Sequence, residues 1–175
     1  MLLKIQNVIS TADLHQNVDA RKFNQYPWGK YDTEIYGGRC GYIKDEEMLG
    51  RVTVFLSGKA ISTGAKSVLA SIWQLEHVMD LLTNKLAERV NLDYKVQNIV
   101  GTLDLQRTFD IKKVIGSLSN YIYEPDNFPG IIYRHSSGIS CLIFASGKVV
   151  IAGARSEDQL ANTADEIAKK MRVSS

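Results

Sequence analysis

Residues 123–156, YEPDNFPGIIYRHSSGISCLIFASGKVVIAGARS, decide the fold of this chain because an earlier stretch repeats their pattern. The earlier copy is residues 31–67, YDTEIYGGRCGYIKDEEMLGRVTVFLSGKAISTGAKS. Both copies predict a strand, a turn, a second strand, a Ser-Gly-Lys turn, a third strand and a Gly-Ala-basic-Ser junction into a helix. Repetition on this scale indicates that one structural unit occurs twice.

The repetition extends into the segments that precede these two stretches. KIQNVIST at residues 4–11 and KVQNIVGT at residues 95–102 predict equivalent strands, with Asn7 aligned to Asn98. A short helix is expected after each strand; Asp110 begins the second one, and Pro27 restricts the first to a few residues. No linker rich in proline, glycine or serine separates the copies. We therefore predict one continuous domain with a first repeat at residues 1–91 and a second at residues 92–175.

The spacing between the copies changes once along the chain. It is 92 residues between Tyr36 and Phe128 but 89 residues between Phe55 and Phe144. The first copy contains the polar segment KDEEMLG at residues 44–50 between these points. The sequence therefore predicts that all three extra residues lie in a longer loop there.

Each copy ends in a segment with helical periodicity. Apolar residues recur at spacings of three and four, which is typical of a helix with one face against a core. The residues of this predicted core stripe are Val68, Ile72, Leu75, Met79, Leu82 and Leu86 in the first copy, and Leu160, Ala164, Ile167 and Met171 in the second.

The predicted strands are apolar on both faces. Leu142 and Phe144 fall on one face, whereas Cys141 and Ile143 fall on the other. Two helices per repeat can cover one face of an antiparallel sheet of about ten strands, and no further segment remains for the second face. We therefore expect an open apolar face that serves as an interface.

The residues expected around this open face indicate the kind of partner. Large aromatic rings fall near strand ends, and lysines and arginines fall at turns and strand termini. An apolar centre with a basic rim suits a DNA minor groove, because apolar side chains can enter between base steps while cations neutralise phosphates. Asn7 and Asn98 would donate hydrogen bonds to the acceptors of A·T pairs, although an asparagine in a strand more often bonds the backbone.

Composition excludes several other classes of protein. The chain has 175 residues, 45% of them apolar and 23% charged, with a net charge of +2. It has no apolar run of bilayer length, so a location in the cytosol or nucleus is expected. Two cysteines and three histidines are scattered, so they predict reduced thiols, with Cys141 packed as a small hydrophobe, and no metal site or cofactor. No nucleophile–base pairing or phosphate loop recurs at chemical spacing, so an enzyme is not expected.

The repeated motifs resemble a known family over essentially the whole chain. VQNIVGT, YEPDNFPGIIYR, CLIFASGK and GARSE in the second repeat, with IQNVIST, VTVFLSGK and TGAKS in the first, resemble the TATA-binding protein family. The resemblance implies an α+β saddle of two pseudo-two-fold repeats, with a curved ten-stranded antiparallel sheet and helices on its convex face. It also implies a general transcription initiation factor that binds and bends TATA-box DNA through the minor groove, a property of that family.

The resemblance further implies a role for each matching residue. The expected intercalating residues are Phe128, Phe144, Phe55 and Tyr36. The expected minor-groove contacts are Asn7, Asn98, Ile9, Val100, Ile61, Thr63, Leu142, Val150 and Ala152. The expected phosphate contacts are Ser57, Lys59, Lys66, Arg134, Ser146, Lys148 and Arg155. Glu124 and Asp126 match the surface that receives transcription factor B, which with RNA polymerase is an implied partner.

The first repeat departs from the family pattern at several of these positions. Tyr36 carries a hydroxyl that is costly to insert between bases, Tyr42 stands where Arg134 stands in the second repeat, and the first turn lacks a proline. These departures predict that the second repeat contributes more to DNA binding. They leave open a divergent paralogue that acts as a protein-interaction scaffold or has relaxed sequence preference.

The resemblance also bears on the protein's source and its free state. An archaeal protein of the nucleoid is favoured over a eukaryotic protein of the nucleus. A homodimer of the DNA-free protein stays open.

Overall fold

The computed structural model describes residues 1–83 and 92–173, which form ten strands and three α-helices. The elements are β1 Leu2–Asp13, β2 Gly29–Tyr31, β3 Cys40–Ile43, β4 Arg51–Phe55, β5 Lys59–Ala65, α1 Val68–Thr83, β6 Asp93–Asp104, α2 Ile111–Ser117, β7 Tyr121–Ile122, β8 Ile131–Arg134, β9 Ser140–Ile143, β10 Lys148–Ala154 and α3 Glu157–Val173. The strands form one sheet in the order β2-β3-β4-β5-β1-β6-β10-β9-β8-β7. The predicted α+β class with ten antiparallel strands is confirmed.

The chain divides into two compact units. The first unit is Asn7–Gln97, and the second unit combines Met1–Gln6 with Asn98–Ser175. In the first unit α1 packs on β4 and β5, and in the second unit α3 packs on β10. The predicted repeat boundary at residues 91 and 92 follows sequence similarity and stays a prediction, because compact units follow spatial contacts instead.

The short helix near the start of each unit differs in type more than in length. The first unit has a 3-10 helix at Ala20–Gln25, which ends just before Pro27. In the second unit the Asp110 side chain accepts a hydrogen bond from the Lys112 N–H at 2.9 Å and begins α2. The predicted N-cap at Asp110 is therefore confirmed.

Burial alternates along the strands, and this confirms the predicted division into two faces. Cys141 and Ile143 are fully buried on the helix-covered face, whereas Leu142 is half-buried on the other. In β4 of the first unit, Val52 and Val54 are fully buried, while the residues between and beside them are not. We call the face without helices the open face.

The ladder register corrects the predicted position of the extra residues. Tyr42 pairs with Thr53 across β3 and β4, whereas Ile132 pairs with Leu142 across β8 and β9. Eleven positions separate the first pair along the chain and ten separate the second, so the loop at residues 44–50 holds one extra residue. The other two lie between Tyr36 and β3. The prediction that all three extra residues lie in the loop is therefore wrong. The prediction that Tyr42 stands in the place of Arg134 is wrong for the same reason.

The core stripe of α3 is confirmed, whereas that of α1 is only partly right. Leu160, Ala164, Ile167 and Met171 are buried. In α1 the buried residues are Ser71, Gln74, Leu75, Val78 and Met79, while the predicted Val68, Ile72 and Leu82 are half-buried. Leu86 lies outside the described residues.

Two polar residues of α1 face the sheet because they form a buried hydrogen-bond network. The Gln74 side chain accepts from the Gly50 N–H at 2.8 Å and donates to the Ser62 hydroxyl at 2.7 Å. The Ser71 hydroxyl also bonds Ser62, at 3.1 Å. This network connects α1 to β5 and to the loop before β4. The pattern of apolar residues in α1 does not predict it.

Serine side chains begin α1 and α3 and thereby place a basic residue at the edge of each unit. The Ser67 hydroxyl accepts from the Ala70 N–H, and the Ser156 hydroxyl accepts from the Gln159 N–H, both at 3.1 Å. The Gln159 side chain accepts from the N–H of Arg155, one residue before the position expected in a capping box. Lys66 and Arg155 therefore lie immediately before a fixed helix start, and both side chains are exposed.

Both cysteines are free and buried, which agrees with the predicted reduced thiols and with the predicted packing of Cys141. Burial raises the pKa of the Cys141 thiol to about 12, so this residue behaves as a small hydrophobe at neutral pH. None of the helices in the described part of the chain has both the length and the apolar character needed to span a bilayer.

Candidate nucleic-acid interface

The open face of each unit carries the apolar residues that the sequence assigns to groove contacts. Each of them alternates with a fully buried neighbour on the helix side, so its position follows directly from strand geometry. All are half-buried: Ile9, Ile61 and Thr63 in the first unit, and Val100, Leu142, Val150 and Ala152 in the second. The side chains that no helix covers thus form an apolar surface on the strands of each unit.

Two phenylalanines form an aromatic pair at the end of the open face in the second unit. The ring centroids of Phe128 and Phe144 lie 5.7 Å apart with an interplanar angle of 62°. Gly130 lies beneath both rings, because a Cβ built there would be 2.9 Å from Phe128 and 3.0 Å from Phe144. The Glu124 carbonyl accepts from the Phe128 N–H at 2.9 Å and anchors the turn that precedes the pair. A side chain at residue 130 would displace the rings.

The first unit has an equivalent aromatic pair but reaches it by a different turn. Tyr36 and Phe55 have centroids 6.4 Å apart, also at 62°. Tyr36 is 69% exposed and has a φ of 50°, and Gly37 and Gly38 continue the left-handed backbone with φ of 62° and 71°. This tight turn lies between Tyr36 and β3, in the interval that holds the two extra residues. A tyrosine in this backbone region costs about 1 kcal/mol or more.

Asn7 and Asn98 occupy equivalent places, and the structure fixes the orientation of both amides. The Asn7 Oδ1 accepts from the Gly64 N–H at 2.7 Å, and the Asn98 Oδ1 accepts from the Gly153 N–H at 2.8 Å. Both glycines have positive φ and lie at register shifts in their ladders, where the strand pairing leaves an N–H to be satisfied. Because Oδ1 is used in this way, each Nδ2 amino group presents donors on the open face.

The Ser-Gly-Lys turns lie beside the aromatic pairs. A shallow hollow in each unit is lined by the phenylalanine, the turn serine and the lysine: Phe55, Ser57 and Lys59 in the first unit, and Phe144, Ser146 and Lys148 in the second. The turn glycine is required sterically, since a Cβ at Gly58 would lie 2.0 Å from the Gln16 carbonyl oxygen, and one at Gly147 equally close to the Arg107 carbonyl oxygen. The turn therefore holds its serine and lysine in fixed places.

Exposed basic residues lie at strand ends and helix starts around the open face, as predicted. They are Lys59 and Lys66 in the first unit, and Arg134, Lys148 and Arg155 in the second. The Arg134 Nη1 donates to the Ser140 hydroxyl at 3.1 Å, which holds its side chain along the sheet. Acidic side chains near the hollows have a structural role, since Asp13 and Asp104 each accept from the backbone N–H two residues later.

Three features of this face were not found from the sequence. Gln6 donates to Thr102 at 2.8 Å, and Gln97 donates to Thr11 at 2.9 Å. Because the glutamines and the threonines recur at aligned positions of the two repeats, the sequence could have predicted these two hydrogen bonds. The third feature is the Arg51 guanidinium, whose carbon lies 4.5 Å from the centroid of the Tyr42 ring. No repeated motif indicates it, since Arg51 has no basic counterpart in the second repeat.

Comparisons with known proteins agree with this arrangement. Residues 2–85 and 93–173 match the family model described as "Transcription factor TFIID (or TATA-binding protein, TBP)". The chain is 44% identical over 169 residues to a TATA-box-binding protein of Cenarchaeum symbiosum, covering 96% of this chain and 93% of the relative. It is 36% identical over 163 residues to that of Pyrococcus furiosus, covering 89% of this chain and 82% of the relative.

The fold itself also has a solved counterpart. The Methanococcus jannaschii TBP aligns with a TM-score of 0.83 and 27% identity, covering 99% of both chains. The family match spans both repeats, and the identities lie well above the level at which a shared fold alone would be the conclusion. On these grounds the chain belongs to the TATA-binding protein family of transcription initiation factors.

Proposed function

We propose that this protein is a general transcription initiation factor that binds TATA-box DNA through the minor groove and bends it with its open face. The observation that carries the proposal is the repetition of one set of groups in both units. Each unit has an aromatic pair, an asparagine amide with its donors on the open face, and a lysine on a Ser-Gly-Lys turn. A ligand with approximate two-fold symmetry and a phosphate backbone on both sides suits such a duplicated set.

The chemistry of each group supports a minor-groove ligand. Amide donors match the N3 of adenine and O2 of thymine, the acceptors that A·T and T·A pairs share there. Half-buried apolar side chains can contact the groove floor without leaving a polar group unpaired. The aromatic pairs at the ends can wedge between base steps, which unstacks them and bends the duplex. Lysines at the turns can neutralise phosphates on either side.

A salt series on two duplexes tests DNA binding. We expect tighter binding to a TATA duplex than to a GC-rich duplex of the same length, with log K falling against log salt at a slope of about −4 to −5 for about five neutralised phosphates. Lys59→Gln should reduce the slope by about 0.9. Lys113→Gln, an exposed lysine of α2, is the matched control and should leave it unchanged. Equal affinity for both duplexes together with no salt dependence would contradict the proposal.

A partner surface is proposed at the turn before Phe128. Glu124 and Asp126 are exposed there, and the Glu124 carboxylate accepts from the Asn127 side chain at 3.1 Å, so the acidic turn has a defined shape. We propose that it receives transcription factor B on the bound promoter, and that RNA polymerase is recruited through that complex. The turn also anchors Phe128, so DNA engagement and partner binding would occur side by side.

Neutralising this turn tests the partner surface. The double variant Glu124→Gln/Asp126→Asn should weaken the binding of transcription factor B to the protein–DNA complex by about 3- to 10-fold, since exposed charge pairs contribute modestly. Its binding to DNA alone should not change. Asp158→Asn/Asp165→Asn on α3 removes two exposed charges elsewhere and serves as control in the same mobility-shift titration. Recruitment at the wild-type level by the Glu124/Asp126 variant would refute the assignment.

Tyr36 is exposed and has a left-handed backbone conformation, and it favours a second candidate function. A phenolic hydroxyl between bases loses its hydrogen bonds with water, so the first unit would intercalate less well than the second. A protein with relaxed sequence preference on that half-site, or one acting mainly as a protein-interaction scaffold, would share the same fold. The scaffold version predicts that Lys59 and Lys148 variants keep partner binding and that the wild type shows no salt-dependent DNA binding.

A further inference from the structure

We infer that Arg51 is a phosphate-contacting residue of the first unit. The inference rests on the proposed DNA-binding function and deepens it. It assigns an electrostatic contact to a residue that no motif of the two repeats marks.

Arg51 lies on the open face at the start of a strand. Arg51 is the first residue of β4, and it alternates with the fully buried Val52 and Val54. It therefore lies on the open face, with Thr53 and Phe55 further along the same strand. Its side chain is exposed, and it pairs with Thr63, a predicted groove contact on β5. Arg51 thus stands at the edge of the apolar surface, where a phosphate would pass.

An aromatic ring contacts the Arg51 side chain in this place. The guanidinium carbon lies 4.5 Å from the Tyr42 ring centroid, a cation–π distance. Tyr42 pairs with Thr53, so Arg51 is its diagonal neighbour across the β3–β4 ladder. A guanidinium carries five N–H donors, and contact with one ring does not use them all. Donors therefore remain for a phosphate.

The second unit has a guanidinium in a corresponding place. Ser140 begins β9 and pairs with Ala152, just as Arg51 begins β4 and pairs with Thr63. Arg134 lies opposite Ser140 and donates to its hydroxyl at 3.1 Å. A guanidinium therefore lies at the same corner of the ladder in each unit. The last residue of β8 supplies it in the second unit, and the first residue of β4 supplies it in the first.

The electrostatic surroundings are consistent with a role toward an external anion. Within residues 1–83 and 92–173, no ion pair joins Arg51 to a carboxylate. The Thr63 hydroxyl bonds the Arg51 carbonyl oxygen at 3.4 Å and fixes the backbone from which the side chain extends. Arg51 therefore adds to the first unit a cation that the repeated motifs do not indicate.

The test compares Arg51 variants on one TATA duplex across a salt series. Arg51→Gln is expected to weaken binding by about 3- to 10-fold at low salt and to reduce the magnitude of the salt slope by about 0.9, as one fewer counterion is released. Arg134→Gln should produce a loss of similar size. Arg51→Lys should keep the slope but bind less tightly, because an ammonium lacks the planar fork. Lys113→Gln is the charge-matched control and should not differ from wild type.

Replacing single DNA phosphates with uncharged analogues locates the phosphate that Arg51 contacts. Methylphosphonate substitution at the phosphate that Arg51 contacts should weaken the wild type but leave Arg51→Gln unaffected. Substitution at a phosphate that another residue contacts should weaken both proteins, and substitution at an uncontacted phosphate should weaken neither. Thermal melting of each variant confirms that it is folded. A normal slope for folded Arg51→Gln, with a reduced slope for Arg134→Gln, would overturn this inference and leave the proposed function standing. Salt-independent binding by the wild type would overturn the proposed function and the inference together.

Discussion

Phe144→Ala is expected to lower the affinity for a TATA duplex by about 10- to 100-fold and to reduce the DNA bend markedly. An inserted ring compensates for unstacking a base step, which costs a few kcal/mol, and alanine cannot fill the opened step. Phe144 also packs against Phe128 with centroids 5.7 Å apart, so the variant removes the support of its neighbour. Equilibrium binding together with fluorescence energy transfer between the duplex ends measures both effects.

Tyr36→Ala should weaken binding by less than Phe144→Ala. Tyr36 is 69% exposed and lies in a left-handed turn, whereas Phe144 and Phe128 are half-buried over Gly130. A preformed pair loses less conformational entropy when it inserts, so the second unit should contribute more to bending. Trp73→Ala removes a comparably large ring from the exposed side of α1 and controls for the loss of an aromatic side chain. A larger loss for Tyr36→Ala than for Phe144→Ala would contradict the expected asymmetry between the units.

Asn98→Asp should weaken DNA binding by more than 100-fold while leaving the fold nearly unchanged. A carboxylate oxygen can still accept from the Gly153 N–H, which Asn98 Oδ1 now accepts at 2.8 Å. The substitution replaces two donors by an acceptor and places a negative charge against the groove's acceptors and phosphates. Like charges brought together at an interface cost several kcal/mol. Fluorescence anisotropy titration measures the affinity, and urea denaturation measures the stability.

The controls for this substitution separate recognition from folding. Asn162→Asp makes the same chemical change on an exposed site of α3 and should bind DNA as the wild type does. Asn98→Ala removes the acceptor of the Gly153 N–H and, because this hydrogen bond is exposed, should cost about 0.5–1.5 kcal/mol of stability as well as affinity. Asn7→Asp should behave like Asn98→Asp, since Asn7 bonds Gly64 in the same way. Wild-type affinity of Asn98→Asp would show that the Asn98 amide donors do not contribute to DNA binding.

The sequence alone determined the repeated architecture and most of the open face. Alternation of apolar residues depends only on strand geometry, so Cys141 and Ile143 could be separated from Leu142 without a structure. The Asn7 and Asn98 alignment, the Ser-Gly-Lys turns and the serine helix starts are likewise local signals. The pairing of Phe128 with Phe144 followed from the family motif, and the ring contact agrees with it. These features need only short segments or the comparison of one repeat with the other.

Tertiary structure alone decided the register of the first unit and the contacts that depend on it. Two residues between Tyr36 and β3 shift the ladder, so Tyr42 pairs with Thr53 and matches Ile132 instead of Arg134. That shift sets the left-handed turn at Tyr36, and the pairing it creates places Arg51 over the Tyr42 ring. Register depends on hydrogen bonds between strands and on the turn that joins them. The spacing of the two copies does not indicate either of these. In the same way, the Gln74 side chain of α1 points toward the sheet because its hydrogen-bond partners, Ser62 and Gly50, lie there. Both partners lie outside the helix, so the sequence of α1 does not indicate them.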